Sequence, residues 1–275
     1  MPATEPTWDP ARYLAYADER SRPFGELLAR VSADADRVRT VVDLGCGPGH
    51  LTPLLTSRWP GATVHGLDSS PEMVEAARRG GDGATYDVAD LRDWLAGDER
   101  ADVLVTNATL QWVPDHLALL PALVDHVTPG GWLAIGVPAN FDEPSHVLRE
   151  ELAAEEPYPE HTGGVASPAA PGARAYLESL AALGCEVDAW ETTYLHVLAG
   201  EDPVFTWISG TGARPTLQAL PADLRPGFES ELKARLRAAY PPGPAGVVMP
   251  FRRVFVVAQV PGGGAATGGA TGGAE

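Results

Sequence analysis

One lysine, Lys233, stands among 20 cationic side chains, cysteines number two, and no apolar run approaches the roughly 18 residues that a membrane span requires. Each scarcity excludes something. Cys46 and Cys185 lie far apart and match no metal-ligand or CxxC spacing, so neither a zinc site nor a disulfide framework is expected, and no metal is assigned. The opening residues, MPATEPTWDP, carry neither the basic region nor the apolar stretch of a targeting signal, which makes a cytoplasmic location the expectation. A basic stripe is missing as well. With a formal net charge of -17, the chain is a poor partner for nucleic acid, because binding a polyanion calls for clustered cations that displace counterions.

What is present suits one large α/β core with an added cap: 275 residues, 44% of them hydrophobic. Short apolar runs at residues 40–44, 62–67, 101–106 and 132–137 alternate with helix candidates at 51–57, 71–79 and 116–126. That is the order of βαβ units, and it predicts a doubly wound, mostly parallel sheet of Rossmann-like type. Residues 155–172 hold four prolines and paired glycines and read as a long loop. Beyond it, residues 174–183 look helical, 186–198 and 253–260 have strand character, and 203–240 read as helices punctuated by prolines, a helical cap inserted before the last strand. The expected division is an N-terminal helical segment over 1–38 closing over the site, a nucleoside-binding core over 39–140, the cap and final strands over 141–260, and a disordered Gly/Ala/Thr-rich tail over 261–275.

The chemistry gathers at strand ends. Val41-Val42-Asp43-Leu44-Gly45-Cys46-Gly47-Pro48-Gly49 is a strand running into a G-x-G-x-G turn that opens a helix, and a Cβ there would stop the backbone from approaching a ligand. A dinucleotide fold uses G-x-G-x-x-G and seats a pyrophosphate on the helix start. Here the third glycine comes one residue early, and Asp43 would repel a pyrophosphate while attracting an ammonium group. Asp68, 19 positions after Gly49, ends the next apolar run and can accept from both hydroxyls of a ribose, with Ser69 beside it and Met73 placed to lie against an adenine. Tyr86-Asp87-Val88-Ala89-Asp90-Leu91 reads as a polar strand end whose Asp90 can accept from the adenine amino group, and Asn107, Gln111 and Trp112 follow the run at 101–106. All four ends fall on one edge of a parallel sheet, so the ligand expected is a sulfonium nucleoside, S-adenosyl-L-methionine, as in class I methyltransferases. Read singly, Asp68 and Asp90 are ordinary helix or turn caps and Trp112 an ordinary core residue.

Further segments resemble the trans-aconitate methyltransferase family. They are Asp18-Glu19-Arg20-Ser21-Arg22-Pro23, Leu110-Gln111-Trp112-Val113-Pro114-Asp115-His116, Glu143-Pro144-Ser145-His146-Val147-Leu148-Arg149-Glu150 and Thr211-Gly212-Ala213-Arg214-Pro215, within a similarity reaching from Trp8 to Val260. The resemblance implies transfer of a methyl group to a carboxylate of trans-aconitate or another small polycarboxylate. A carboxylate of ordinary pKa, about 4, is already ionised at neutral pH, so no catalytic base is assigned, and His116, His126 and His146 are left out of the site. Holding such an anion within an acidic protein calls for arginine. The candidates are Arg22 and Arg214 as the preferred pair, then Arg20, Arg252 and Arg253, with Tyr194, His196 and Trp207 supplied by the cap and Tyr13 and Tyr16 closing over the cofactor. Two alternatives remain open here, a malonyl-acyl carrier protein methyltransferase and a non-catalytic nucleoside-binding protein. The oligomeric state is left open.

Overall fold

The structure is a computed structural model describing residues 17–262, with side chains described from residue 21 onward. Its centre is a seven-stranded sheet in the order β3-β2-β1-β4-β5-β7-β6. The strands are β1 (Thr40–Leu44), β2 (Thr63–Asp68), β3 (Thr85–Val88), β4 (Ala101–Asn107), β5 (Val127–Pro138), β6 (Glu186–Leu198) and β7 (Val247–Gln259). The first five pair in parallel, whereas β7 runs antiparallel between β5 and β6. The mostly parallel, doubly wound sheet read from the sequence is thus the sheet observed, and β7 starts six residues earlier than its apolar pattern suggested.

Alternation along the strands divides the core. Val42, Leu44, Leu104, Leu133 and Ile135 point to one face, where they meet Trp94 of α4 (Leu91–Leu95), Leu120 and Leu123 of α5 (Leu120–Asp125) and Tyr176 and Leu180 of α8 (Ala173–Ala182). Val41, Val103, Val105 and Ala134 point to the other, against Phe24, Leu27 and Leu28 of α1 (Ala17–Ala29) and Leu55 of α2 (Thr52–Arg58). Helix α3 (Pro71–Arg78) starts as its sequence suggested. Pro71 occupies the first turn, and the Ser70 hydroxyl accepts from the Met73 N–H at 3.3 Å, so both ends of this connection are fixed locally.

The cap is built from two stretches of chain. Helices α9 (Pro203–Ser209), α10 (Arg214–Ala219) and α11 (Arg225–Ala239) lie between β6 and β7, as expected. Their apolar cluster around Trp207, Leu217, Phe228 and Leu232 also takes in Leu152 of α6 (Pro144–Ala153), which belongs to the connection after β5. The loop expected over 155–172 carries a single helical turn, α7 (Pro159–Thr162), and is otherwise irregular. No helix among the described residues is long and apolar enough to cross a membrane.

Candidate active site

At the carboxyl ends of β1, β2, β4 and β5, where the strand order reverses between β1 and β4, a cavity of about 1090 Å³ opens under the cap. One lobe is lined by Gly45, Gly47, Asp68, Ser69, Met73, Asp90, Leu91, Asn107, Gln111 and Trp112, so residues from four separate strand ends share one wall. The other is lined from the cap and the last strand.

The glycine turn serves two purposes. A Cβ on Gly45 (φ +80°) would fall 1.8 Å from Thr109 Oγ1, and one on Gly49 (φ +74°) 2.8 Å from Ala77 Cβ, so these two glycines allow the turn to pack against the protein itself. A Cβ on Gly47 (φ +58°) would meet nothing within 4 Å, and Gly47 is the position where open space faces the cavity. Cys46 and Gly49 do not line it. The Cys46 side chain turns away into a small cluster with Val74, Ala77 and Tyr86, because neighbouring residues of the turn face opposite sides.

Asp68 spans the turn. Its Oδ2 accepts from the Gly47 N–H and its Oδ1 from the Ser70 N–H, each at 2.9 Å, and a carboxylate with one such bond per oxygen still has acceptor capacity for hydroxyl groups. Asp90 caps α4 through Oδ1, which accepts from the Arg92 N–H at 2.7 Å, and lines the cavity as well, so the capping reading and the site reading both hold geometrically. Asp43 is 4% exposed and lies behind the lining residues. Burial, with the negative charge of Asp68 added, pushes its pKa up to about 7, and burial raises that of Asp68 against the pull of two backbone amides.

Two buried amide oxygens complete this lobe. Asn107 Oδ1 and Gln111 Oε1 have no hydrogen-bond partner among the described residues, while Gln111 Nε2 donates to the Ala108 carbonyl at 2.6 Å. Acidic groups beside an open glycine fit a ligand that brings cationic and N–H or O–H donors, which is the chemistry of S-adenosylmethionine.

In the second lobe Met249, Phe251 and Arg253 project from alternate positions of β7 into the cavity, with the Arg253 guanidinium 5.0 Å from the centre of the Phe251 ring. Trp207 of α9 lies 5.7 Å from the same ring. Arg253, 4% exposed, sits in register with Pro138 at the end of β5. Asn140, Phe141, Ser145 and His146 also line the cavity, with Glu160, His161, Gly164, Val165 and Pro168 of the loop that carries α7.

Several residues singled out in the sequence are placed elsewhere. Arg22 is 73% exposed, pairs with Glu26 one turn along α1 at 2.8 Å and does not line the cavity. Tyr194 and His196 belong to β6 rather than the cap: the Tyr194 hydroxyl donates to Glu26 at 2.5 Å, and His196 stacks behind Trp207 at 4.7 Å. Arg252 points to the opposite side of β7 from Arg253, as strand alternation requires, and pairs with Glu191 at 3.1 Å. Arg214 opens α10 beside the lining residues Gly212 and Pro215 without lining the cavity itself. Tyr13 and Tyr16 lie outside the described residues and Arg20 outside the described side chains, and no described residue before Leu44 lines the cavity. Ser145 lies within a family-like segment but had no chemical signal of its own, and His146, left out of the site on sequence, lines the cavity as well. The loop wall had none either, since nothing in a proline-rich stretch says what it leans on.

Residues 16–189 match the model of a methyltransferase domain family. The chain is 50% identical to the trans-aconitate 2-methyltransferase of Streptomyces coelicolor over 95% of its own length and 89% of that protein. It belongs to the trans-aconitate 2-methyltransferase family. Another member, from Mycobacterium tuberculosis, is 49% identical, with 95% of this chain and 100% of that one aligned. Rhodococcus jostii has a member 51% identical over 92% of this chain and 99% of its own. The fold of the family recurs in distant solved structures: YcgJ of Bacillus subtilis superposes with a TM-score of 0.55 at 13% identity, over 88% of this chain and 99% of that one. Phosphoethanolamine N-methyltransferase 2 of Haemonchus contortus, solved with S-adenosyl-L-methionine, gives 0.52 at 17% identity, over 87% of this chain and 52% of its own.

Proposed function

We propose that the protein is an S-adenosylmethionine-dependent carboxylate O-methyltransferase forming a monomethyl ester of trans-aconitate or a closely similar polycarboxylate. The observation carrying this reading is a single cavity that joins the glycine turn and its acids to a buried cation. Asp68 and Asp90 line it beside the open glycine turn, with Asp43 buried behind them, and Arg253 lines it from β7, among other lining charges that include Arg92 and Glu160. When bound, S-adenosylmethionine supplies a methyl group activated on a sulfonium. The acidic lobe would hold it, with Asp68 on the ribose, Asp90 at the base, and Asn107 and Gln111 toward the methionyl end.

The Arg253 guanidinium would then hold a substrate carboxylate by forked hydrogen bonds. A carboxylate needs no proton removed, so the chain contributes orientation and exclusion of water, for which Met249, Phe251 and Trp207 form the dry wall. In this reading residues 39–140 carry the nucleoside and 141–260 shape the acid pocket, while the expected closing segment and tail lie in part outside the described residues. The malonyl-carrier-protein alternative is not favoured, since relatives at 49% to 51% identity are named for trans-aconitate.

A labelled-methyl transfer assay across di- and tricarboxylates, with products identified by mass, tests the reading. A single ester from trans-aconitate is expected. Absence of transfer to every acid, from folded protein that binds S-adenosylhomocysteine, would overturn it.

A further inference from the structure

The chain between β5 and the body of α6 brings two buried, uncharged polar side chains to the cavity. His146 is 7% exposed, lines the cavity, and neither of its ring nitrogens has a hydrogen bond among the described residues. Its ring is held by shape alone, edge-on to Phe141 at 5.1 Å and so close to Gly212 that a Cβ there would lie 2.8 Å from Cε1. Asn140, 2% exposed, lines the cavity too. Its Oδ1 is closed off without a partner, and its Nδ2 likewise makes no hydrogen bond among the described residues. Buried polar groups that end at a cavity wall unpaired are costly unless a ligand completes them.

Their neighbours indicate what kind of ligand that is. Burial and the charge of Arg149 hold the His146 pKa down to about 4 against the pull of Asp142, so the ring is neutral at physiological pH and presents one N–H donor. Asn140 follows Ala139, whose N–H bonds the Arg252 carbonyl at 2.9 Å, and Pro138 stands in register with Arg253. A cation from β7 and neutral donors from the β5–α6 connection therefore enter the same lobe. Glu160 of α7 lines the cavity as well, with His161 next to it, but Glu160 is exposed and water screens its charge. His146 and Asn140 are buried, where a hydrogen bond to an anion is stronger. A tricarboxylate carries more anionic groups than Arg253 alone can meet, and uncharged donors can hold a further one without adding a second buried cation.

We propose that the His146 ring, in a wall it shares with Asn140, donates a hydrogen bond to a substrate carboxylate that is not methylated. This rests on the carboxylate-methylating function proposed above. His146 acts in it as a neutral donor that positions the acid, not as a base, since a carboxylate has no proton to give up.

The experiment pairs calorimetric binding of trans-aconitate, in the presence of S-adenosylhomocysteine, with steady-state kinetics for wild type, His146→Phe and His146→Gln. Phenylalanine keeps an aromatic ring against Phe141 and loses the donor, whereas glutamine loses the ring and keeps an N–H. Loss of a hydrogen bond to a charged group predicts a rise of about tenfold or more in Kd and KM for trans-aconitate in His146→Phe, with His146→Gln less affected and S-adenosylhomocysteine affinity changed less than twofold in both. A role in packing alone predicts the opposite order, and finding His146→Gln the weaker binder would overturn the proposal. So would a His146→Phe protein that binds trans-aconitate within twofold of wild type. Should both variants lose nucleoside affinity along with acid affinity, His146 is structural, and the proposal is equally wrong. Asn140→Asp, of the same shape but with an anion in the wall, should also weaken trans-aconitate binding about tenfold or more; unchanged affinity would mean that the acid does not reach this wall, which overturns the proposal independently of any His146 variant. A wild-type enzyme that methylates no carboxylate would instead remove the proposed function itself.

Discussion

Arg149 Nη1 donates to the Gly212 carbonyl at 3.0 Å, and this bond joins the two separate stretches of chain that make the cap. The same nitrogen reaches Thr216 Oγ1 at 3.1 Å, and Nη2 reaches Glu150 at 2.6 Å, although Arg149 is only 2% exposed. Burial pulls its pKa down from the usual arginine value, partly offset by Glu150. Gly212, the residue it holds, is the one packed against His146.

Replacing Arg149 by Met should therefore leave two acceptors of the cap without their donor. A loss of about 2–4 kcal/mol is expected in chemical denaturation, from the hydrogen bonds to a charged group, and Arg149→Lys should recover part of it. If Arg149→Met proves as stable as wild type, the cap is held by apolar packing alone.

Binding of the cationic nucleoside should depend on pH through Asp43. Its folded pKa, about 7, lies above the usual carboxylate range, so the free protein favours the protonated form below pH 7 and bears a buried anion above it. This group's contribution makes the free fold less stable as pH rises from about 4 to about 7, whereas a bound cation favours the ionised carboxylate. Calorimetry should show S-adenosylmethionine affinity rising as pH increases from 6 to 7.5 and then levelling, with proton release on binding. Burial raises Asp68 in the same direction, whereas it moves the Cys46 thiol further above this range, so the thiol stays protonated throughout and takes no part. Asp43→Asn should flatten the profile.

Arg253 and Arg22 make a contrasting pair. Arg253→Met should raise the KM for trans-aconitate by about tenfold to a hundredfold, the effect of removing a charge-assisted bond, with little change in nucleoside affinity. Arg22→Ala, on the exposed side of α1, should leave KM within twofold of wild type. The reverse order in steady-state kinetics would move the acid pocket to the other side of the sheet.

Gly45→Ala should abolish nucleoside binding, because the new methyl would strike Thr109 Oγ1 at 1.8 Å and the backbone has a φ of +80°. Gly47→Ala meets no protein atom within 4 Å at a φ of +58°, so its cost is mainly conformational and should be smaller in thermal melting. Any loss of S-adenosylhomocysteine affinity beyond that would report contact with the ligand.

The parallel half of the sheet was legible because each of its strands carries a local signal: an apolar run, a glycine turn, an acid at the strand end. Asp68, Asp90, Asn107 and Gln111 could be placed on one edge from chain order alone, since parallel strands put all their carboxyl ends together. The substrate lobe offered no such rule. Arg252 and Arg253 are adjacent in sequence, and only the register of β7 against Pro138 shows which of them faces the cavity. Arg22 looked promising because of the segment containing it, yet its helix turns it toward Glu26 and solvent.

The sequence by itself determined the parallel half of the sheet, because that depends on period and on spacing within 20 or 30 neighbouring residues, and its family-like segments carried the family. Tertiary structure alone decided which arginine is buried, that the cap joins α6 to α9, α10 and α11, and that Ser145 lines the cavity. These depend on contacts between segments a hundred residues apart, such as Ser145 with Tyr240, for which no local pattern exists.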